Sequence, residues 1–210
     1  MIDLYSGTPG SGKSLHTAIR LYYWLKSGKT CICNFPIELK KVRKKRPDTL
    51  PFFEIDNKDI TPETLIEFSR MHFKGKRIKE DSIVLVIDEA QILFNARTWQ
   101  QIGRSEWLSF FSQHRKYGYH IILIAQFDRM LDRQIRSVIE YEYVHRKVSN
   151  FGIKGKVLSL VMGARVFVAV KVWYPMQEKI GQEFFRARKR FYSLYDTYGD
   201  FKEKASGSGG

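Results

Sequence analysis

Near the start of this 210-residue chain, Gly7-Thr8-Pro9-Gly10-Ser11-Gly12-Lys13-Ser14 follows the pattern G-x-x-x-x-G-K-S. Residues of these types at this spacing can cradle a polyphosphate. Gly7, Gly10 and Gly12 let the backbone turn tightly and approach the ligand closely. The amides around Gly10 to Lys13 would point inward where a helix begins, and the helix dipole there favours negative charge. Lys13 can reach the β- and γ-phosphates, and the Ser14 hydroxyl can ligate Mg²⁺. ATP with Mg²⁺ is therefore the expected ligand pair, held by Gly7, Gly10, Ser11, Gly12, Lys13, Ser14 and Leu15.

A second set of residues completes this chemistry. Ile83-Val84-Leu85-Val86-Ile87 is an apolar run that ends in Asp88-Glu89. Asp88 would join Ser14 in holding Mg²⁺, directly or through water, and Glu89 would orient the attacking water as a general base. His120 to Ala125 is a further apolar run, tipped by Gln126, a side chain able to sense a γ-phosphate or position water. An arginine from a neighbouring subunit would complete the charge stabilisation. The candidates are Arg97, Arg115 and Arg136, with Arg115 preferred.

These residues need elements to position them. Ile2-Asp3-Leu4-Tyr5 fits a short buried strand before the loop. Leu15, Ala18, Ile19 and Tyr22 recur at helical spacing after it. Thr30 to Cys33 and Phe52 to Ile55 read as strands, and Thr61-Pro62 reads as a helix start. Trp107, Phe110, Phe111 and His114 predict a helix over about 105–117, closed by Gly118, in which His114 packs rather than ligates. Asp128 to Ser137 is expected to be helical, and 140–145 alternates as a strand. Alternation of buried strands and helices predicts an α/β fold: a mostly parallel sheet flanked by helices, with ligands bound at the carboxyl ends of the strands.

Beyond Asn150 the pattern changes. Lys156 to Val161 and Arg165 to Trp173 predict a hairpin through Met162-Gly163-Ala164, an antiparallel extension of the sheet. A single domain over 1–200 is expected, with 151–200 as this extension. Residues 205–210 have linker composition.

Lys and Arg exceed Asp and Glu by 36 to 22, a net charge of +14 that predicts a polyanionic partner. Lys40 to Arg46 is the densest basic run, readable as a solvated loop or as a nucleic-acid or lipid contact. Arg186, Arg188, Lys189 and Arg190 alternate with Phe184, Phe185, Phe191 and Tyr192, which fits single-stranded nucleic acid or a surface helix with an apolar underside. Cys31 and Cys33 share a strand face, so buried free thiols in a reducing compartment are expected. No signal peptide is expected, and no apolar run approaches the roughly 20 residues that span a bilayer.

The order of Gly7 to Ser14, Cys33-Asn34-Phe35-Pro36, Ile87 to Gln91, His114-Arg115-Lys116-Tyr117-Gly118, Ile122 to Gln126 and Tyr192-Ser193-Leu194-Tyr195-Asp196-Thr197 resembles the zonular occludens toxin (Zot) family. This family includes the gene I-type assembly ATPases of filamentous phages. The resemblance runs from about Met1 to Asp200. It implies a P-loop motor domain of the HerA/FtsK-like branch, acting as a homo-oligomeric ring such as a hexamer. It also implies work in the host bacterial cytoplasm, at the cytoplasmic face of the inner membrane, in the assembly and export of virions around single-stranded DNA. Carried over by motif, Lys13, Ser14, Asp88, Glu89 and Gln126 are the ATPase residues. Family members usually continue into a transmembrane helix, which this chain does not contain. Coat protein, DNA and membrane stand as possible partners. The alternatives are a nucleotide-gated scaffold that binds ATP with little turnover, and a small-molecule kinase, which the Asp88-Glu89 pair argues against.

Overall fold

The computed structural model describes residues 1–95, 103–150 and 165–195. The strands are β1 (Ile2–Ser6), β2 (Thr30–Cys33), β3 (Phe52–Glu54), β4 (Ile83–Ile87), β5 (Tyr119–Ile124), β6 (Tyr141–Lys147), β7 (Val166–Trp173) and β8 (Glu178–Arg186). The helices are α1 (Lys13–Lys26), α2 (Leu39–Val42), α3 (Pro62–His72), α4 (Arg104–Gln113), α5 (Arg133–Ser137) and α6 (Lys189–Tyr192). Among the described residues the strands form one eight-stranded sheet in the order β3-β2-β4-β5-β1-β6-β7-β8. The pairs from β3 through β6 are parallel, and β6–β7–β8 are antiparallel.

The apolar runs of β1, β4 and β5 are buried along their whole lengths, because helices cover both faces of the sheet. Ile83, Leu85 and Ile87 face one layer with Leu65 of α3 and Trp107, Phe110 and Phe111 of α4. Val84 and Val86 face the other, with Leu15, Ala18, Leu21 and Leu25 of α1. This is the period-2 alternation of a strand with two apolar environments.

Local chemistry sets the helix ends. The Thr61 hydroxyl accepts from the Thr64 amide at 3.2 Å, and Pro62 opens α3. The aromatic helix α4 tightens into a 3₁₀ turn over His114–Tyr117 and stops at Gly118. His114 is buried, with Nδ1 2.6 Å from the Phe111 carbonyl and Nε2 2.7 Å from the amino terminus, so it packs as expected. The expected helix over 128–137 is split. One 3₁₀ turn covers Asp128–Met130, and α5 begins after Asp132, whose carboxylate accepts from the Gln134 amide.

The C-terminal hairpin differs from the expected one. β7 pairs on one side with β6 and on the other with β8, through a turn over Tyr174–Met176 and Gln177. Both of its edges are therefore taken. The expected partner, Lys156–Val161, lies outside the described residues, as does the turn at Met162–Ala164. Cys31 and Cys33 are buried free thiols, and burial pushes the Cys31 thiol up to about 12. No helix among the described residues is long and apolar enough to cross a membrane.

Candidate nucleotide-binding site

Because β1, β2, β4, β5 and β6 run parallel, the residues that follow them emerge at one edge of the sheet. Gly7 follows β1, Asn34 follows β2, Asp88 follows β4, and Gln126 lies just beyond β5. Of these, Asp88 and Gln126 line a cleft of about 640 Å³. Its walls include Gly10 to Leu15, Asp88, Glu89 and Gln126, together with Lys147, Arg165, Phe167 and Tyr192.

The loop from Gly7 to Gly12 is held in the geometry its glycines permit. Gly7 has φ +140, and a Cβ there would lie 2.6 Å from the His145 carbonyl oxygen. Gly12 has φ +101, and a Cβ there would lie 2.7 Å from Cδ1 of Phe167. Both positions demand the left-handed region and the absence of a side chain. The Gly7 amide donates to the Gln126 carbonyl at 3.0 Å, which fixes the loop to the tip of β5. No side chain caps the start of α1 and no acidic residue occupies its first turn, so its amides are available to an anion. The Ser11 hydroxyl is buried inside the loop without a hydrogen-bond partner.

Lys13 Nζ donates to the Gly7 carbonyl at 2.5 Å. Burial holds its ammonium below the ordinary lysine range, opposed by the charges of Asp88 and then Glu89. Asp88 and Glu89 line the same cleft as the lysine. Burial likewise raises the Asp88 carboxyl, opposed first by the Tyr195 hydroxyl that donates to its Oδ2, then by the Glu89 amide that donates to Oδ1 at 2.9 Å. Glu89 is exposed in the left-handed region, φ 49 and ψ 45, and Gln91 Nε2 donates to its carboxylate. The oxygen donors Ser14 and Asp88 fit Mg²⁺, a hard ion that takes one or two protein oxygens and leaves its other positions to phosphates and water.

Every residue expected to touch nucleotide or metal lines this cleft except Gly7, which anchors its floor and lines an adjoining cleft beside Gln126. The arginines differ. Arg115 lies before β5, at the opposite end of the strands, and forms a 2.6 Å ion pair with Glu140. With five- and six-residue strands between, it stands roughly 15–20 Å from the cleft of its own chain. Arg136 is near Asp128 at 3.8 Å, and Arg97 lies outside the described residues.

Sequence reasoning missed Lys147, Arg165, Phe167 and Tyr192 in the cleft, and Asn34 and Tyr195 around Asp88. Lys147 and Arg165 end and precede adjacent antiparallel strands, so the pairing of β6 with β7 brings them together. A strand ending in Arg146-Lys147 was the available signal.

The sequence of the Gene 1 protein of Enterobacteria phage I2-2 is 26% identical over 93% of this chain. That of the Gene 1 protein of Salmonella phage IKe is also 26% identical over 93%. The chain spans 56% of the length of each. The crystal structure of the N-terminal domain of zonular occludens toxin from Neisseria meningitidis superposes with a TM-score of 0.52 at 19% identity, covering 93% of this chain and 98% of that one. The genome packaging NTPase B204 from Sulfolobus turreted icosahedral virus 2, in complex with ATP-gammaS, gives 0.54 at 18% identity over 89% and 97%. Both likenesses are of fold: a P-loop NTPase sheet. A family model described as zonular occludens toxin (Zot) matches residues 1–201, so the chain belongs to the Zot family.

Proposed function

We propose that the cleft binds ATP with Mg²⁺ and hydrolyses it. The chain would be the motor domain of a machine that assembles and exports filamentous virions at the cytoplasmic face of the bacterial inner membrane. The observation that carries this reading is the convergence of the phosphate loop, Asp88-Glu89 and Gln126 on one cleft. The insertion of β5 between the loop strand β1 and the acidic strand β4 supports it further. That insertion sets β4 about 10 Å from β1 and puts Gln126 between them. The phage relatives support the biological setting.

In this mechanism the α1 amides and Ser11 bind the phosphates. Lys13 exchanges the Gly7 carbonyl for a phosphate oxygen and offsets the charge that develops on transfer. Ser14 and Asp88 would hold Mg²⁺, which would supply further charge neutralisation. Glu89, oriented by Gln91, accepts a proton from the attacking water, and Gln126 helps position that water. An arginine from a neighbouring copy would act in trans in a ring. Arg115 could do so only by leaving Glu140.

The partner best suited to the surface is single-stranded DNA. The basic run Lys40–Arg46 and the cluster Arg188–Arg190 lie on the same side of the sheet, beside α1. Val42, Leu39, Phe191 and Leu194 share one apolar cluster there, and the Glu38 amide donates to the Leu194 carbonyl at 3.0 Å.

A nucleotide-gated scaffold is the second reading, favoured by the engagement of Lys13 with loop carbonyls and of Asp88 with Tyr195. Steady-state phosphate release separates the two. Wild type should turn over ATP, while Lys13→Ala and Glu89→Gln should lose at least about 100-fold. Equal rates in all three would remove the motor, and tight ATP binding without turnover would favour the scaffold.

A further inference from the structure

Two stretches of this sequence lie outside the phosphate loop and the acidic strand, Cys33-Asn34-Phe35-Pro36 and Tyr192-Ser193-Leu194-Tyr195, yet both close on Asp88. β4 ends at Ile87, so the Asp88 backbone lies beyond its ladder. Asn34 takes over that role. Its Oδ1 accepts the Asp88 amide at 2.7 Å, and its Nδ2 donates to the Asp88 carbonyl at 2.9 Å. Nδ2 also donates to Asn57 Oδ1 at 2.8 Å, so the Asn34 side chain is itself pinned.

The carboxylate is fixed separately. The Tyr195 hydroxyl donates to Oδ2, and the Glu89 amide donates to Oδ1. The Tyr195 ring meets buried Phe35 edge-on, with centroids 4.5 Å apart and planes at 66°. Leu194 is fully buried, and its carbonyl takes the Glu38 amide, which ties the segment entering Tyr195 to the loop that carries Phe35. Neither contact is local: Asn34 is 54 residues from Asp88, and Tyr195 is 107.

A carboxylate held by two donors has lost its rotational freedom on folding rather than on binding metal. Each of its oxygens keeps a lone pair for a further partner. We propose that Asn34, Phe35 and Tyr195 form a clamp that presents the Asp88 carboxylate to Mg²⁺ or to a metal-bound water, with Tyr195 as the positioning residue. This rests on reading the cleft as a site for ATP with Mg²⁺. It gives the C-terminal Tyr-Ser-Leu-Tyr stretch a direct hold on the metal site.

The test is a Mg²⁺ titration of the full chain in the presence of a fluorescent, non-hydrolysable ATP analogue, read by fluorescence. Tyr195→Phe keeps the ring and removes the donor. It should raise the Mg²⁺ concentration for half-maximal response about 10-fold, while affinity for the analogue without metal stays within about twofold. Melting temperature checks the fold. Phe35→Leu, which keeps the hydroxyl but loosens its support, should shift the curve in the same direction by less, and carries the test if Tyr195→Phe is unstable. On an Asp88→Asn background, Tyr195→Phe should add less than about twofold, because it acts through Asp88. A Tyr195→Phe curve that superimposes on wild type or moves to lower Mg²⁺, or a full shift on the Asp88→Asn background, overturns the clamp. Wild type that fails to bind the analogue, or binds it without any response to Mg²⁺, overturns the nucleotide-site reading and the clamp with it. A normal wild-type response with an unshifted variant overturns the clamp alone.

Discussion

Glu89 occupies left-handed backbone at φ 49, which costs a residue with a side chain roughly 1–2 kcal/mol. The chain turns there immediately after β4, so successive residues Asp88 and Glu89 both reach the cleft. A strand continued through them would send the two side chains to opposite faces. Gly12 shows the same economy of space. Gly12→Ala combines a strained φ of +101 with a Cβ 2.7 Å from Phe167. It should cost about 1–3 kcal/mol, read as a fall of several degrees in melting temperature, and abolish nucleotide binding. An unchanged melting temperature with normal binding would mean that Phe167 does not press on the loop. The motif residues were legible because each carries its own local signature: glycines at fixed spacing before a lysine, and an apolar run ending in two acids. Asn34 and Tyr195 lie in stretches that carry the family resemblance, but their chemical role was not legible, since an asparagine before Phe-Pro and a tyrosine after a short helix acquire it only through a partner far along the chain.

At the scale of elements, the antiparallel extension is joined to the nucleotide loop by a buried polar chain. His16 on α1 has Nδ1 2.8 Å from His145 Nε2 on β6, and His145 Nδ1 is 3.1 Å from the Ser6 carbonyl at the end of β1. On its other side His16 meets Glu183 of β8 at 3.4 Å, and Arg20 meets the same carboxylate at 3.7 Å. Burial, then the neighbouring His16, lowers His145 from 6.5 to about 3. A group whose folded pKa is depressed contributes stability that is complete above the unfolded value and is lost as pH falls. The window here runs from about 6.5 down to about 3, with a slope of up to about 1.4 kcal/mol per pH unit. The hydrogen bond from His16 lowers Glu183 as well, which adds loss in the same direction below 4.5. Urea denaturation from pH 8 to 4.5 should show this decline, and His145→Gln should flatten it between pH 6.5 and 4.5. A variant as acid-sensitive as wild type would assign the decline to other groups. The parallel elements were legible from periodicity, including the extra strand tipped by Gln126. The hairpin was less so, because its turn places Gln177, not glycine, in the left-handed region at φ 55, while Met162-Gly163-Ala164 offered the more obvious turn chemistry.

For the whole molecule, basic segments far apart in sequence come to one side of the sheet, and this juxtaposition was not readable from either segment alone. The interleaved aromatics divide when folded. Phe191 is buried, Phe184 pairs with Val168 on the other face of the sheet, and Tyr192, 47% exposed, is the one of these three left beside the basic segments for stacking on bases. If the surface tracks single-stranded DNA, binding should weaken steeply as salt rises, with a log–log slope of about −0.7 per phosphate contacted. Replacing Lys40, Lys41, Lys44 and Lys45 with Gln should make that slope visibly shallower. Equal salt dependence in the two proteins would move the partner elsewhere. The proposed motor depends on a triphosphate lying between the loop and the acidic pair. A crystal structure of Glu89→Gln with ATP and Mg²⁺ tests this most directly. It should show the β- and γ-phosphates on the amides of Gly10 to Leu15, Lys13 turned from the Gly7 carbonyl onto phosphate, and the metal between Ser14 and Asp88. Nucleotide bound outside this cleft, or a metal remote from Asp88, would contradict it.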